Sequence, residues 1–352
     1  MEKLHQGERN TFASRGGMVL AIATMVWSVC LLGGGLWWFI KRSGPEIVAR
    51  QAPRQVQRFS QVQEVPTGLF RYGGSPAWAA VRLIVDTVIQ SERREFQLRY
   101  VQSNSEVIGA RNSLQMLLDG DLDIVQSAHP LAEAQRQQAQ EQGSALVQVP
   151  VAISGIAIAV HPQLPVSELT LNQLRSIYQG EVTNWQELGG PNLDIQPYSR
   201  PSTAESIVDQ FQATVLQGAS FGKAVAFLPT TTDAIRKLND TPGGIYYASA
   251  SELVPQCTIK PLALSRSSEQ FIPPYQSPAE SEAECLKSRR QVNINAFHKR
   301  QYPLTHNLYV VFKGSGPGAA AGKAYAQLLL TKQGQDLMQS SGFAPIDSNV
   351  AF

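Results

Sequence analysis

An uncharged apolar run near the N-terminus constrains this chain more than any other feature of its sequence. Met18–Ile40 is 23 residues long, contains no charged side chain and ends in two tryptophans, Phe and Ile, directly before Lys41 and Arg42. A helix of that length spans about 34 Å, which is enough to cross the hydrocarbon core of a bilayer. Tryptophans and basic residues at its end are typical of a membrane–water interface. The sequence therefore predicts one N-terminal transmembrane helix, preceded by a short segment of residues 1–17.

A cleaved signal peptide and a lipoprotein signal are the alternatives for this run. A signal peptide has an apolar region of about 7–15 residues and a cleavage site of small residues, whereas this run is longer and ends in Trp-Trp-Phe-Ile. A lipoprotein signal would use Cys30, but Val29 precedes it where that signal needs a small residue, and ten apolar residues follow. The sequence favours an uncleaved anchor.

The residues after the run differ in composition from the rest of the chain. Residues 41–66 are rich in Gln, Arg and Pro and show no apolar period, which predicts a flexible tether. Residues 1–66 carry eight Lys or Arg and four Glu, whereas the remaining 286 residues carry 22 basic and 24 acidic side chains. A body with that charge balance is not expected to bind nucleic acid.

The flanking charges and the cysteines predict opposite orientations for the run. Three basic residues precede it and five follow it within the tether, so the positive-inside rule weakly favours a cytoplasmic body. Cys257 and Cys285 are the two cysteines of the body. Such an isolated pair favours a disulfide in an oxidising compartment, with two free thiols as the alternative. The charges alone leave the topology open.

Strand and helix patterns alternate from Thr67 onward. Ser75 and Pro76 suit the N-cap and the first position of a helix, and apolar residues at helical spacing follow them. Leu146–Val160 is a long apolar stretch that predicts either two buried strands or one strand crossing between lobes. Residues 264–295 are rich in Ser and Pro and predict an irregular insertion. The alternation predicts an α/β fold with mostly parallel sheets covered on both faces.

The sequence carries no strong signature of an enzyme, a metal centre or a cofactor site. The five histidines have no metal-ligand spacing, and no G-x-S-x-G nucleophile elbow occurs. Gly318–Ala324 resembles a P-loop, but its glycine spacing is wrong, and Ala324 cannot ligate magnesium. We therefore expect no catalytic residue, no metal and no cofactor.

Three loops place small or hydroxyl residues at the start of a predicted helix: Gly73–Pro76, Gly109–Ser113 and Arg200–Ser206. Helix N-termini offer unpaired N–H groups and a partial positive charge, which suit an anion. Arg200 adds a guanidinium that can bind an oxyanion in a bidentate way. Ordinary capping is the alternative, because Ser202–Glu205 has the S-x-x-E spacing of a capping box.

Several stretches of the body match one family in order. They are Leu169–Leu174, Ile177–Gly180, Thr183–Trp185, Gly189–Asn192, Tyr198–Pro201, Gly243–Ala250, Tyr302–Thr305, Leu328–Thr331 and Gly342–Ile346. With them, residues 67–352 resemble the phosphate-binding subunit of ABC phosphate importers, particularly the longer cyanobacterial-type members. The resemblance implies a two-lobed type II periplasmic-binding-protein fold with the ligand between the lobes. It implies that residues 67–152 and 248–352 form lobe 1 and residues 153–247 form lobe 2.

The resemblance also implies a set of pocket residues. These ligand-binding candidates are Gly74, Ser75, Arg111, Ser127, Arg200, Ser202, Glu205 and Ser206. Pro76 stands where the family usually has Thr, and Arg111 adds a cation where a Gly-Ser-Gly run usually supplies a hydroxyl. Ala128 stands where some members have an Asp that accepts a proton from hydrogen phosphate. Ala204-Glu205-Ser206 replaces a Ser-Gly-Thr triplet.

These departures predict weak or altered binding of the family's ligand. A hydrogen bond to a charged group contributes about 1.5–3 kcal/mol, so losing three donors costs about 4–9 kcal/mol. That loss lowers affinity by roughly 10³–10⁶-fold. Our hypothesis is that Glu205 occupies the anion site itself, paired with Arg200 or Arg111.

The resemblance implies a solute-binding protein that binds phosphate or a related oxyanion, and the apolar run Met18–Ile40 predicts that it is anchored in the membrane, which is a departure from typical members of the family. It would deliver the ligand to an ABC permease or report it to a membrane sensor, with a single pass through the cytoplasmic membrane and the body in the periplasm. The alternative is a degenerate paralogue with weak or no phosphate binding, acting as a sensor or protein-interaction module. An enzyme is not expected, because the polar residues of the predicted cleft, which include His129, contain no evident nucleophile–base pair.

Overall fold

A computed structural model describes four parts of the chain: residues 56–101, 110–201, 207–277 and 282–346. The predicted transmembrane run Met18–Ile40 lies outside them, as do residues 1–17 and most of the predicted tether. Within the described parts, no helix is both long and apolar enough to cross a bilayer.

The strands of the described residues belong to one long sheet path and one small sheet. They are β1 (Gly68–Gly74), β2 (Phe96–Tyr100), β3 (Ile124–Ser127), β4 (Leu146–Val160), β5 (Glu168–Thr170), β6 (Gln196–Ser199), β7 (Ala226–Phe227), β8 (Gly244–Ser249), β9 (Lys260–Pro261), β10 (Ala263–Ser265) and β11 (Thr305–Lys313). The long path has the order β2-β1-β3-β11-β4-β8-β6-β7, and β9 also pairs with β4. Strands β10 and β5 form the small sheet.

Helices of varied length connect these strands, as the alternation in the sequence predicts. They are α1 (Ala79–Glu92), α2 (Ala110–Asp119), α3 (Glu133–Glu141), α4 (Leu171–Gln179), α5 (Ile207–Thr214), α6 (Thr231–Asn239), α7 (Ala250–Leu253), α8 (Glu282–Lys287), α9 (Ile294–His298), α10 (Pro317–Leu330) and α11 (Lys332–Ser340). Strand β1 pairs in parallel with β2 and β3, whereas β11 is antiparallel to β3 and β4. The α/β class is therefore confirmed, with a mixed rather than a fully parallel sheet.

Local signals set several element boundaries. Helix α4 begins after Thr170, whose hydroxyl accepts a hydrogen bond from the Gln173 N–H, and it ends at Gly180, which has a φ of 80°. The Ser75 side chain caps a short 3-10 turn that starts at Pro76 and leads into α1. The prediction of Ser75 as N-cap and Pro76 as first helical residue is confirmed.

Strand β4 is one continuous strand that serves both halves of the sheet path. Its first part, up to Gly155, pairs with β11, and its second part, from Ile156, pairs with β8. Every residue from Val151 to Val160 is buried. Of the two interpretations of Leu146–Val160, the single strand crossing between two lobes is the one observed.

Two separate hydrophobic cores define the lobes. One core surrounds Trp78, Phe96 and Tyr325, and the other surrounds Trp185 and Phe211. Buried residues between positions 250 and 304 pack into the second core, not the first: Ala250, Leu253, Val254, Ile259, Leu262, Leu264, Val292, Ala296, Phe297, Tyr302 and Leu304. The chain therefore returns to the first lobe at residues 304–305, where β11 begins, and not at residue 248. For residues 250–304 the lobe 1 assignment does not hold, because their apolar side chains are buried against β4 and β8.

The end of the predicted tether is part of the first lobe. Phe59 and Val62 are buried in its core. The Arg93 guanidinium donates to the carbonyls of both residues, at 2.7 and 2.9 Å. The Gln333 side chain accepts a hydrogen bond from the Phe59 N–H at 3.0 Å. The tether prediction does not hold for residues 56–66, because these two apolar side chains fix a segment that is otherwise polar.

The two cysteines of the body form a disulfide. Cys257 and Cys285 are bonded, 28 residues apart, and lie in the second lobe. The insertion around them has more structure than predicted, since α8 lies within it, β10 and α9 overlap its two ends, and isolated bridges join Leu264 to Ile272 and Tyr275 to Val292. The disulfide closes this insertion onto the turn that follows α7.

Candidate functional site

A cavity of about 140 Å³ lies between the two lobes. From the first lobe it is lined by the residues that enter α1: Ser75, Pro76, Ala77, Ala79 and Ala80. From the second lobe it is lined by the ends of β6 and β8, by α5 and by α7: Arg200, Pro201, Ile207, Val208, Ser249, Ser251 and Glu252. The cavity therefore joins charged and hydroxyl groups with small apolar side chains.

The first-lobe wall is built by a tight turn at the end of β1. Gly74 has a φ of +130°, and a Cβ at this position would lie 2.2 Å from the Gln126 carbonyl oxygen, so a side chain does not fit. The Ser75 N–H donates to that same oxygen at 2.8 Å. The Ser75 hydroxyl accepts from the Ala77 N–H at 3.3 Å, which leaves its own proton available to a partner in the cavity. Pro76 offers no N–H.

A buried polar network supports this turn from behind. The Arg82 guanidinium donates to the Ser75 carbonyl at 3.2 Å and to the Gln126 side chain at 2.7 Å. Gln126 donates to the Tyr325 hydroxyl, which donates to the Asp86 carboxylate, both at 2.7 Å. Burial raises the pKa of Asp86 from 3.8 to about 6, and the hydrogen bond from Tyr325 opposes this rise. The network holds the turn through side chains that do not line the cavity.

Arg200 supplies the positive charge of the second-lobe wall. It follows β6, whose last residue, Ser199, is buried and bonded through its hydroxyl to the Tyr247 hydroxyl at 2.7 Å. An Arg200 Nη1–H donates weakly to the Thr231 hydroxyl at 3.5 Å. The Arg200 Nε is buried and has no hydrogen-bond partner among the described residues. A buried donor of this kind is costly unless a ligand or water satisfies it.

Glu252 supplies a negative charge in the same cavity, and the sequence analysis did not identify it. It lies in α7, three residues after the end of β8. Desolvation by the surrounding protein raises the pKa of its carboxyl. Arg200, the Ser249 backbone and the Thr231 hydroxyl act in the opposite direction and stabilise the carboxylate. The available signal was its position, because it closely follows the recognised stretch Gly243–Ala250.

The remaining predicted site residues fall into three groups. Ser127 ends β3, and its hydroxyl bonds to the backbone of His129, away from the cavity lining. Arg111 lies in the first turn of α2. Ser202, Glu205 and Ser206 lie outside the described residues, and so does the hypothesis that Glu205 occupies the anion site. The structure brings Ser75 and Arg200 together at one cavity, with Gly74 shaping its wall.

Comparison with known proteins gives this arrangement a family. Residues 62–333 match the family described as the PBP superfamily domain. The chain belongs to the PBP superfamily. Among PBP relatives, the phosphate-binding protein PstS of Pseudomonas aeruginosa is 22% identical over 275 residues, covering 73% of this chain and 79% of that protein. The PstS of Bacillus subtilis is 33% identical over 110 residues, and the protein SphX of Synechococcus elongatus is 24% identical over 137.

The aligned part of the chain spans only 36% of the Bacillus protein and 40% of the Synechococcus protein. Solved structures with the same PBP architecture align with a larger share of both chains. A putative phosphate ABC transporter substrate-binding protein from Clostridium perfringens, with bound phosphate, has a TM-score of 0.60 and 18% identity. The superposition covers 80% of this chain and all of that one. The phosphate-binding protein PfluDING, bound with phosphate, has a TM-score of 0.56 and 13% identity over 80% of this chain and 91% of its own.

These comparisons confirm the resemblance to phosphate-binding subunits of ABC importers, and they confirm the two-lobed type II fold. The structural neighbours show the fold alone, because their identities are below 25%.

Proposed function

We propose that this chain is the solute-binding protein of an ABC transporter and binds phosphate or a related oxyanion between its lobes. The observation that carries the proposal is the interlobe cavity, which is lined by Ser75 from one lobe and by Arg200 from the other. The two PstS relatives are named phosphate-binding proteins, which supports the same ligand class. We propose no catalytic step and no resident cofactor.

The polar groups of the cavity suit an oxyanion. Arg200 has a buried Nε–H without a partner among the described residues, and a guanidinium can donate two parallel hydrogen bonds to one oxyanion. Ser75 can donate its hydroxyl proton, and the Ser249 and Ser251 hydroxyls lie 2.9 Å apart on the same lining. The first turn of α1 adds a partial positive charge through the helix dipole.

We further propose that Met18–Ile40 anchors the chain in the cytoplasmic membrane as a single pass, with the body in the periplasm. The Cys257–Cys285 disulfide supports an oxidising compartment for the body. From that position the protein would pass its ligand to a permease or report it to a membrane sensor. A reporter that is active only in the periplasm, fused after Phe352, is expected to be active. Activity of a cytoplasm-only reporter at the same position would overturn the proposed topology.

Calorimetric titration of the detergent-solubilised full chain tests ligand binding. We expect phosphate and arsenate to give measurable heats of binding below millimolar concentration, with an affinity weakened by the departures in the pocket loops. Arg200→Ala removes two charged hydrogen bonds of about 1.5–3 kcal/mol each, so phosphate affinity should fall by at least about 100-fold. Arg236→Ala, an exposed arginine on α6, is the matched control and should leave the affinity unchanged.

The titration also separates the proposal from its alternative. A folded wild-type protein that gives no heat with millimolar phosphate, arsenate or sulfate would refute oxyanion binding. It would favour the degenerate paralogue that acts as a sensor or interaction module. Equal loss of affinity in Arg200→Ala and Arg236→Ala would show that the anion binds elsewhere.

A further inference from the structure

A second and larger cavity adjoins the one that contains Arg200. It has a volume of about 610 Å³ and is also lined by both lobes. Ala80 and Ser251 line both cavities, so the two meet at a methyl group and a hydroxymethyl group. The cavity with Arg200, at about 140 Å³, is smaller than most small-molecule sites, whereas the larger one lies within their usual range of about 300–1,000 Å³.

Hydrogen bonds fix the insertion that forms one wall of the larger cavity. The first lobe contributes Ile84 of α1 and the end of α11, which includes Gln339. The second lobe contributes the insertion, in which the Gln276 N–H donates to the Gln291 carbonyl at 2.9 Å. The Arg290 guanidinium donates to two backbone carbonyls of the segment after α7, at 2.7 and 3.2 Å. The insertion therefore gives this cavity a defined wall.

The lining of the larger cavity is polar but has no excess of charge. Among the described residues that line it, Arg290 and Asp336 are the charged ones. Arg290 donates to the carbonyls just described, and Asp336 is paired with Lys332 at 2.7 and 2.9 Å. A second anionic group would find no surplus of positive charge there. An uncharged part of a ligand fits this lining better.

The amides and hydroxyls of the same lining suit hydroxyl groups. The side chains of Gln276, Gln291 and Gln339 are exposed, and they make no hydrogen bond among the described residues. An amide can both donate to and accept from a ligand hydroxyl. The Ser340 and Ser341 hydroxyls both donate to one backbone carbonyl at 2.8 Å, which leaves their oxygens able to accept.

We propose that the two cavities form one site for a phosphate monoester of a polyol or a small sugar. The phosphoryl oxygens bind to Arg200 in the smaller cavity, and the carbon chain passes Ala80 and Ser251 into the larger one. There the glutamine amides bind its hydroxyl groups. The ester thereby gains contacts that inorganic phosphate lacks. This inference rests on the proposed binding of oxyanions between the lobes and names the substrate class.

The test is calorimetric titration of the detergent-solubilised full chain with phosphate, glycerol 3-phosphate, glucose 6-phosphate and monopropyl phosphate. At least one of the two hydroxylated esters should bind at least about tenfold more tightly than phosphate, because it adds hydrogen bonds. It should bind at least about fivefold more tightly than monopropyl phosphate, which has a carbon chain but no hydroxyl group. If monopropyl phosphate binds as tightly as the better hydroxylated ester, the recognition of hydroxyl groups is refuted.

Ile84→Trp tests whether the carbon chain occupies the larger cavity. Ile84 lines that cavity and not the smaller one, and an indole there takes up part of its volume. The better ester should lose at least about tenfold in affinity, while phosphate stays within about twofold. Leu83→Trp is the matched control, because Leu83 is the neighbouring residue on α1, is 76% exposed and lines neither cavity. An unchanged ester affinity in Ile84→Trp would refute this placement.

Gln339→Ala repeats the test with a smaller change at an exposed position. It removes one amide from the larger cavity, so the ester affinity should fall by about 2- to 10-fold and the phosphate affinity should not change. An equal loss for phosphate and ester would show that Gln339 does not act on the hydroxylated part of the ligand.

Failure of the inference and failure of the proposed function give different results. If wild type binds phosphate and neither hydroxylated ester binds more tightly, the ester class is refuted and oxyanion binding stands. If the esters bind Arg200→Ala as tightly as wild type, their phosphoryl group does not bind at Arg200, and the single site is refuted. If folded wild type binds none of the four probes, both proposals fall.

Discussion

The two lobes contribute to the cavity in different ways. The first lobe contributes backbone geometry, since the Gly74–Ser75 turn is fixed by a steric limit and by the buried network from Arg82 to Asp86. The second lobe contributes charge, through Arg200 and Glu252. The comparison indicates that packing fixes the first-lobe wall, whereas the charged side chains of the second-lobe wall are the groups available to a ligand. Changes in the first lobe should therefore cost stability, and changes in the second should alter ligand binding.

Gly74→Ala is the most severe test of the first-lobe wall. The added methyl group would meet the Gln126 carbonyl at 2.2 Å in a backbone conformation that alanine rarely adopts. We expect the free energy of unfolding to fall by about 4–5 kcal/mol in chemical denaturation. Gly120→Ala is the control, because Gly120 also has a positive φ, +83°, but open space around it. Its cost should be about 1–2 kcal/mol. If the two variants lost equal amounts of unfolding free energy, the close contact with the Gln126 carbonyl would not be what restricts the turn to glycine.

Asp86→Asn tests the network behind the turn through pH. The pKa of Asp86 is about 6 in the folded protein and 3.8 as an ordinary aspartate, so between these values the folded state holds more protons than the unfolded state. The Asp86 contribution therefore favours folding below about pH 4 and is lost as pH rises through 6, for a total of about 3 kcal/mol.

The variant lacks this ionisation and keeps an oxygen that can accept from Tyr325. Between pH 4 and 6.5, wild type should lose about 2 kcal/mol of unfolding free energy relative to Asp86→Asn, measured by denaturation at each pH. Asp240→Asn, an exposed carboxylate of the second lobe, should run parallel to wild type. Parallel curves for wild type and Asp86→Asn would contradict the described burial.

Glu252→Gln should have the smallest effect on stability. The side chain is accessible from the cavity, and the amide can keep an acceptor toward Thr231. We expect a change of less than about 1 kcal/mol in unfolding free energy. A loss as large as that of Gly74→Ala would mean that the second-lobe wall is also a structural element, and the contrast between the lobes would disappear.

The parts of the fold that depend on neighbouring residues could be predicted from the sequence. Ser75 and Pro76 carry a capping signal within two positions, and the uninterrupted apolar residues of β4 reveal its burial. The lobe boundary could not be predicted in this way. Residues 250–304 could join either core, and the choice depends on which distant strand covers their apolar side chains. The spacing of apolar residues along the sequence carries no information about that strand.

The site shows the same division. Arg200 follows a recognisable strand end, and a family motif marks Gly74 and Ser75. Glu252 is 52 positions from Arg200, and only the parallel pairing of β6 with β8, which places the ends of both strands at one edge of the sheet, brings the two together. Similarly, Phe59 and Val62 appear as isolated apolar residues in a polar segment, and their burial becomes visible only against α1 and α11.

Strand β11 has a consequence for the order of events during synthesis. It lies between β3 and β4 in the sheet, yet it leaves the ribosome after the entire second lobe. From Ser127 to Thr305 there are 178 positions, which take roughly 10–35 s to translate. During that interval the first-lobe part of the sheet lacks β11. The edges of β3 and β4 that later pair with β11 are therefore unpaired. The second lobe, an almost continuous stretch of chain, can fold first. The first lobe, although its first strands are made earliest, can complete its sheet only after β11 is made.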